Sequence, residues 1–363
     1  MKGLYIHIPF CEHICHYCDF VKRVPKDAPM IDRYLDALVK EIKQYENHFS
    51  TIETIYIGGG TPSMLSVEQL TFLLDALKPI QPLEFTIEIN PESYTPHKGE
   101  VMKQYGVNRV SLGVQTFNQT ILKSLNRKHT NEQVYEVINH LKSIGLTNIS
   151  LDLIYALPKQ TLTDLKNDLD IVQQLNVAHV SAYSLILEEN TTLYRRYLKG
   201  LFTLADPDLE ANMFDLVMET LKAQGFEHYE IANFAKPNHQ SKHNLIYWTL
   251  GEYVGCGLGA HGFINKTRTY NERQLDLYLQ KPLKEAVKQT EEDLLQDEMI
   301  FGLRKLKGVY LPYIETTYKI NLWDKYPNLN QLQEEGLIEV VDNYLRLTNK
   351  GIHLGNQVFM EFI

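Results

Sequence analysis

The chain contains little cysteine: four residues among 363, three of which lie close together near the N-terminus. Secreted disulfide scaffolds need many paired cysteines, so this usage excludes that class. Clustered cysteines outside a disulfide framework are typical of metal ligands in a reducing compartment, and we expect a cytoplasmic protein. The fourth cysteine, Cys256, lies between two glycines and is predicted to be a small buried residue rather than a ligand.

The sequence also lacks long apolar runs and any excess of positive charge. No run of about 18 or more apolar residues occurs, so we expect no membrane span. The N-terminal residues lack the apolar segment and small-residue cleavage site of a signal peptide. The net charge of −9 argues against a nucleic-acid partner, because such proteins carry a basic face.

Strand-like and helix-like segments alternate from residue 3 to about residue 188. A helix is predicted over residues 31–45, and Ser66-x-x-Gln69 and Thr130-x-x-Gln133 are capping boxes that predict two more helix starts. Repeated βα units require a parallel sheet with right-handed crossovers, so we predict an α/β fold with a partial (β/α)6 barrel. The six predicted strands are 4–9, 54–57, 85–89, 109–114, 149–157 and 179–187.

The pattern changes near residue 290. Helices are predicted over 291–306 and 329–336, followed by a hairpin over 337–347 that turns at Asp342-Asn343, and a last helix from Asn349. Helices followed by a hairpin indicate a small winged-helix-like domain. We therefore divide the chain into a barrel domain (1–235), a connecting region (236–288) and a C-terminal winged-helix-like domain (289–363).

The loop after the first predicted strand holds Cys11, Cys15 and Cys18, with spacing C-x3-C-x2-C. Three thiolates can hold three irons of a [4Fe–4S] cluster, which leaves the fourth iron open to a small chelating molecule. Structural zinc is the alternative, although this spacing is unusual for it. Its fourth ligand would be His13, His16 or Asp19.

Polar residues follow the other predicted strands, at the ends where parallel barrels gather their chemistry. Glycines let the backbone approach a ligand closely, although a tight turn is the simpler interpretation. Carboxylates on apolar strands can hold ribose hydroxyls or an ammonium group; the alternative is a structural ion pair with Arg109 or Arg127. The residues at these strand ends are Gly58–Thr61, Glu88, Gln115, Asp152, Tyr183 and Ser184.

The stretch YIHIPFCEHICHYCDF, from Tyr5 to Phe20, resembles the opening of the radical SAM superfamily. Within it, the chain is similar to the branch of oxygen-independent coproporphyrinogen III oxidase and the HemW haem chaperones. The sequences GGGTP at 58–62 and DLIYALP at 152–158 support this resemblance. It implies that S-adenosylmethionine chelates the open iron of the cluster. The implied S-adenosylmethionine contacts are Tyr5, Gly59, Gly60, Thr61, Glu88, Gln115, Arg127, Asp152, Ser184 and His261.

Two features separate the relatives within this branch. The oxidase has a further cysteine at the position of Phe20. This chain has phenylalanine there, and so does HemW. The segment HNLIYW at 243–248 matches the HNxxYW signature that the HemW family links to haem. On a helix His243 and Tyr247 would share one face, and both are haem candidates. The alternative is that Tyr247 is a core aromatic and His243 its hydrogen-bonded neighbour.

The resemblance implies a haem chaperone that carries a [4Fe–4S] cluster and S-adenosylmethionine, and passes haem to acceptor proteins, membrane-associated ones among them. The alternative is an oxygen-independent coproporphyrinogen III dehydrogenase, an oxidative decarboxylase. The sequence leaves open whether S-adenosylmethionine is turned over and whether the chain forms a homodimer.

Overall fold

The computed structural model describes residues 1–363. The strands are β1 (Gly3–Ile8), β2 (Thr54–Gly59), β3 (Glu84–Ile89), β4 (Arg109–Gln115), β5 (Ile149–Tyr155), β6 (His179–Ser184), β7 (Glu227–Glu230), β8 (Asn233–Ala235), β9 (Tyr253–Cys256), β10 (His261–Ile264), β11 (Thr267–Asn271), β12 (Leu283–Lys288), β13 (Val309–Tyr310), β14 (Ile338–Val341) and β15 (Tyr344–Leu347). The helices are α1 (Ala28–Lys43), α2 (Val67–Leu77), α3 (Pro96–Gln104), α4 (Gln119–Ser124), α5 (Asn131–Ser143), α6 (Leu162–Leu175), α7 (Thr192–Leu198), α8 (Pro207–Ala223), α9 (Lys242–Trp248), α10 (Leu275–Tyr278), α11 (Glu291–Gly302), α12 (Leu311–Tyr318), α13 (Leu322–Lys325), α14 (Leu329–Glu334), α15 (Asn349–His353) and α16 (Gly355–Phe359).

Strands β1 to β6 lie side by side in chain order, and each pairs in parallel with the next. Strands β1 and β6 do not pair with each other, so this array is open. Helices between the strands cover the sheet, and the strands are buried almost throughout, as expected when both faces of a parallel sheet are packed. The α/β fold class predicted from the alternating pattern is confirmed.

The sheet continues beyond the six predicted strands. Strand β9 pairs in parallel with β1, and β10, β11 and β12 follow as antiparallel neighbours. On the other edge, β8 and β7 add to β6. The region over 236–288 therefore contributes strands to the main sheet, while its treatment as a separate unit stays a prediction.

Local capping explains where several helices begin. The capping boxes predicted at Ser66 and Thr130 both form, with reciprocal bonds to Gln69 and Gln133. A third box, Thr161 with Asp164, begins α6, which the sequence reading did not identify. Each box satisfies backbone N–H groups that the first helical turn leaves unpaired.

One buried carboxylate ties the added strands to the first helix. Glu41 on α1 accepts hydrogen bonds from the backbone N of Gly257 (2.9 Å), the Nδ2 of Asn271 (2.6 Å) and the hydroxyl of Tyr278 (2.7 Å). Burial raises the pKa of Glu41, and these three bonds oppose the rise. Because an unpaired buried carboxylate is costly, this network fixes the segment that follows β9.

The C-terminal part contains helices α11 to α16 and a small antiparallel sheet with strand order β13-β15-β14. The predicted hairpin turns at Asp342 and Asn343, whose φ angles of 51° and 65° suit a type I′ turn. No helix of the chain combines the length and apolar character that crossing a membrane requires.

Candidate functional site

The three clustered cysteines lie in the loop after β1 and line one cavity of about 500 Å³, which we call the cluster cavity. Cys11 is buried, and Cys15 and Cys18 are half-buried; none forms a disulfide. Cys256 on β9 is fully buried in the core and lies outside the cavity. Three thiols from one loop therefore face a common space, and the fourth cysteine does not.

Polar donors surround these sulfurs. The Thr61 hydroxyl lies 3.4 Å from the Sγ of Cys11, and the Nη1 of Arg127 lies 3.7 Å from the Sγ of Cys15. Donors of this kind stabilise thiolates and tune an iron–sulfur cluster. The residues present thus fit a cluster held by three cysteines with one iron left open.

The end of β2 brings backbone against the cysteine loop. Gly59 has a φ of 112°, and a Cβ on Gly60 would lie 2.7 Å from the carbonyl oxygen of Phe10. The backbone N–H of Gly60 donates to the carbonyl of Ile8 at 2.8 Å, which locks the two strand ends together. Only glycine permits this approach, so the glycine triplet does more than make a turn.

Glu88, on β3, lies half-buried in the cluster cavity. Its carboxylate accepts hydrogen bonds from the Tyr56 hydroxyl (2.7 Å) and the backbone N–H of Gly59 (3.0 Å). Burial raises the pKa of Glu88 to about 7, although both hydrogen bonds oppose the rise. A cationic ligand group in the cavity would favour the ionised carboxylate.

Asp152, on β5, faces the same cavity and accepts from the Ser111 hydroxyl at 3.0 Å through both oxygens. Burial raises its pKa to about 6, opposed by hydrogen bonds from Ser181 and Ser111. Neither Asp152 nor Glu88 forms an ion pair with an arginine. Hydroxyl and amide donors hold these carboxylates instead of the structural ion pair considered from sequence.

Arg127 and Gln115 also line the cluster cavity. The Nη2 of buried Arg127 donates to the carbonyl of Gly113 (2.5 Å) and to the Oδ1 of Asn90 (3.2 Å). Gln115 ends β4 with a φ of 69°, a left-handed conformation that is uncommon outside glycine. Such strain is a feature of ligand sites, and the Gln115 side chain lines the cavity.

A second cavity, of about 410 Å³, adjoins the first; we call it the aromatic cavity. Asp19 and Phe20 line both cavities and form the boundary between them. Its remaining walls include two histidines, two arginines and six further aromatic residues. These are His7, His261, Arg268, Arg273, Tyr5, Tyr247, Trp248, Tyr253, Phe263 and Phe301.

The structure divides the residues predicted from sequence between these two cavities. The cluster cavity contains all three cysteines and eight of the ten S-adenosylmethionine candidates: Gly59, Gly60, Thr61, Glu88, Gln115, Arg127, Asp152 and Ser184. The other two, Tyr5 and His261, line the aromatic cavity. Contact of all ten residues with S-adenosylmethionine stays a prediction.

The HNLIYW segment forms α9, as a shared face for His243 and Tyr247 requires. Tyr247 lines the aromatic cavity, but His243 is fully buried and lines neither cavity. Its Nδ1 is hydrogen-bonded to the Thr54 hydroxyl (2.8 Å) and its Nε2 to the Tyr247 hydroxyl (2.7 Å). Iron ligation by His243 would require breaking one of these bonds, and its role as a haem ligand stays a prediction.

Sequence reading missed several supporting residues. Tyr56 and Ser111, which hold the two carboxylates, lie on β2 and β4 two residues before Gly58 and Gly113, so the alternation of the strands could have indicated them. Asn90 directly follows β3 and could have been found in the same way. Arg268 and Arg273 carried no local signal, because only the sheet extension brings them to the cavity.

Two family models match the chain. The radical SAM superfamily model matches residues 5–172, and the HemN C-terminal domain model matches residues 289–354. The first match contains the cysteine loop, most of β1, and β2 to β5. The second contains most of the C-terminal helices and their small sheet.

Characterised relatives are similar over the full length. The chain is 42% identical to the haem chaperone HemW of Bacillus subtilis (strain 168), covering 100% of this chain and 99% of the relative. It is 40% identical to HemW of Lactococcus lactis, covering 100% and 97%. Among solved structures, coproporphyrinogen III oxidase of Escherichia coli matches with a TM-score of 0.87 and 26% identity, covering 99% and 89%. The chain therefore belongs to the HemW family of the radical SAM superfamily.

Proposed function

We propose that this protein is a haem chaperone, which binds haem and transfers it to acceptor proteins while it carries a [4Fe–4S] cluster and S-adenosylmethionine. The similarity to HemW proteins over the whole chain supports this reading. So does the presence of two adjoining cavities, one suited to the cluster and one to an aromatic ligand.

In this proposal Cys11, Cys15 and Cys18 hold the cluster, and S-adenosylmethionine lies beside it in the cluster cavity. The cluster and its ligand would together supply redox chemistry when bound. The protein's own residues bind S-adenosylmethionine and orient it. Glu88 and Asp152 provide negative charge for the cationic parts of the ligand, and Arg127 provides positive charge beside the cysteine loop.

The observation that carries the haem assignment is the wall formed by Tyr247 and Trp248. Both belong to the HNxxYW segment, and both line the aromatic cavity. Phe20, which replaces the further cysteine expected in an oxidase, separates this cavity from the cluster and is 67% exposed. An apolar planar ligand in the aromatic cavity would thus lie next to the cluster cavity. At the boundary it would meet the ring of Phe20 rather than the thiol of a further cysteine.

A coproporphyrinogen III dehydrogenase is the second candidate, favoured by the similarity of the whole structure to the Escherichia coli oxidase. Fold similarity alone does not establish function, because related sites on one fold support different activities. Phe20 and the HNxxYW segment argue for the chaperone.

Haem titration tests the proposal. Haem is added under anaerobic conditions to the protein carrying its reconstituted cluster, and the Soret band is followed. The proposal predicts saturable binding of one haem per chain. Linear, unsaturated absorbance up to a large excess of haem would contradict it.

A further inference from the structure

We propose that the aromatic cavity is the haem site and that His261, rather than His243, is the iron ligand, with Arg273 and Arg268 binding the propionates. This assignment rests on the proposed function and adds the residues that hold the cargo. It moves His261 out of the S-adenosylmethionine site and gives a role to two arginines that carried no sequence signal.

The walls of the cavity suit a flat apolar macrocycle. Tyr247 and Trp248 from α9, Phe263 from β10 and Phe301 from α11 converge on a volume of about 410 Å³. Cofactor sites are mostly apolar clefts of about 300–1,000 Å³ with a few placed polar groups. Three separate elements supply these rings, so the cavity is formed by the tertiary fold.

His261 is the nitrogen donor left free at this cavity. His7 also lines it, but its Nδ1 is bonded to the Tyr5 hydroxyl (2.9 Å) and its Nε2 to the carbonyl of Val21 (2.7 Å). The Tyr247 hydroxyl is bonded to His243. The His261 ring makes no hydrogen bond and only packs edge-on against Tyr270, with centroids 4.8 Å apart. An exposed imidazole in this position can serve as an axial ligand to haem iron.

The backbone is built to place His261 there. It begins β10 and lies opposite Tyr270 on β11. A Cβ on Gly255 would lie 1.9 Å from the carbonyl oxygen of His261, so only glycine lets β9 approach it. The position of the ring therefore depends on the sheet extension beside β1.

Two arginines provide the charge that propionates require. Arg268 lines the cavity, and its Nη2 is paired with the Oδ2 of Asp297 at 2.5 Å, which fixes the guanidinium and leaves other N–H groups free. Arg273 lies exposed at the rim and has no carboxylate partner. Guanidinium groups bind carboxylates in a planar, bidentate way, so a free and a fixed arginine suit two propionates.

Buried polar atoms add a further observation. The indole Nε1 of Trp248 is buried without a hydrogen-bond partner, although Trp248 lines the cavity. Unpaired buried donors are rare in proteins and often belong to sites that a ligand or water completes.

Exposure of His261 and Arg273 at the rim leaves the iron and the propionates of a bound haem accessible to an acceptor protein.

The test uses the cluster-loaded protein and its variants, titrated with haem and separately with iron-free protoporphyrin. His261→Ala should shift the Soret band and weaken haem about tenfold or more, the loss of one ligand bond, while protoporphyrin affinity stays unchanged. Arg273→Ala should weaken both ligands about tenfold, because both carry propionates. His48→Ala and Arg33→Ala, exposed residues that line neither cavity, serve as matched controls and should change nothing.

The outcomes separate this inference from the proposed function. Absence of haem binding in the unmodified protein would overturn the chaperone proposal itself. Normal haem binding that is unaltered in His261→Ala and Arg273→Ala would overturn only the site assignment. Loss of S-adenosylmethionine affinity in His261→Ala, with an unchanged Soret band, would return His261 to the cofactor site.

Discussion

The Nε2 of His243 lies 2.7 Å from the hydroxyl of Tyr247, one helical turn away on α9. The imidazole also packs against the ring of Tyr56, with centroids 5.3 Å apart, and Tyr56 in turn donates to Glu88. A row of contacts thus leads from the carboxylate of the cluster cavity to the wall of the aromatic cavity. His243 lies between the two cavities, and we interpret it as a residue that positions Tyr247.

We expect His243→Ala to lower the free energy of unfolding by about 1–3 kcal/mol, because the hydroxyls of Thr54 and Tyr247 lose a buried partner. The folded variant should keep the Soret position of the unmodified protein, with weaker haem binding as the wall loosens. Denaturant unfolding and haem titration measure the two effects. Tyr247→Phe, which removes only the hydroxyl, is the matched control. A large Soret shift in His243→Ala without loss of stability would show instead that His243 is the iron ligand.

The cluster assignment predicts that serine at Cys11, Cys15 or Cys18 abolishes the brown colour and the four-iron content of the reconstituted protein. Each sulfur faces the cluster cavity, and no other cysteine reaches it. Iron analysis and absorption spectroscopy measure the loss. Cys256→Ser is the internal control, because that thiol is buried in the core, and it should retain full iron. Iron loss in this control would mean that the fourth iron is not open.

Asp152→Ala should weaken S-adenosylmethionine binding by about 1–3 kcal/mol, the typical effect of leaving a polar partner unpaired. Gln115→Ala should weaken it in the same direction, since both side chains line the cluster cavity. Equilibrium dialysis on the cluster-loaded protein measures both affinities. Ser66→Ala, on the outer surface at the start of α2, should leave the affinity unchanged. Undiminished affinity in both cavity variants would show that S-adenosylmethionine does not occupy this cavity as assigned.

Affinity for S-adenosylmethionine should rise with pH across the pKa of Glu88. Burial raises this pKa from 4.5 to about 7, so the carboxyl is mostly protonated below that pH and ionised above it. A cationic ligand favours the ionised form, so binding should be about tenfold weaker at about pH 6 than at about pH 8. Asp152, with a pKa near 6, adds to the same trend at the acidic end.

Glu88→Gln removes the titrating group and should flatten this profile above about pH 7, where Asp152 is already ionised. The affinity of the variant should resemble that of the unmodified protein at low pH. Binding that strengthens as the pH falls would have the opposite sign and would exclude Glu88 as a partner of a cationic ligand group.

Local signals in the sequence were sufficient for the central sheet and the cluster loop. Ser66-x-x-Gln69 encodes its own helix start, and the cysteine spacing needs no distant partner. The added strands could not be found in this way. Strand β12 is exposed throughout, and β9 is short and contains glycine, so neither has the apolar alternation of a strand.

For the candidate site too, local signals were sufficient for some residues and not for others. Residues at the ends of β2 to β6 could be grouped because parallel strands end at one edge of the sheet. The burial of His243 depends on Thr54, and the cavity position of Arg268 depends on Asp297, both far away in the chain. Contacts of this range follow from the tertiary fold and leave no periodic signal in the sequence.

Haem transfer measured against porphyrinogen turnover tests the central claim most directly. The haem-loaded protein is mixed anaerobically with apomyoglobin as a probe acceptor, and in parallel the cluster-loaded protein receives coproporphyrinogen III, S-adenosylmethionine and a reductant. A chaperone should lose its Soret band as the acceptor gains one, and should leave coproporphyrinogen III unchanged. Steady consumption of coproporphyrinogen III by a protein that binds no haem would contradict the account and identify an oxidative decarboxylase.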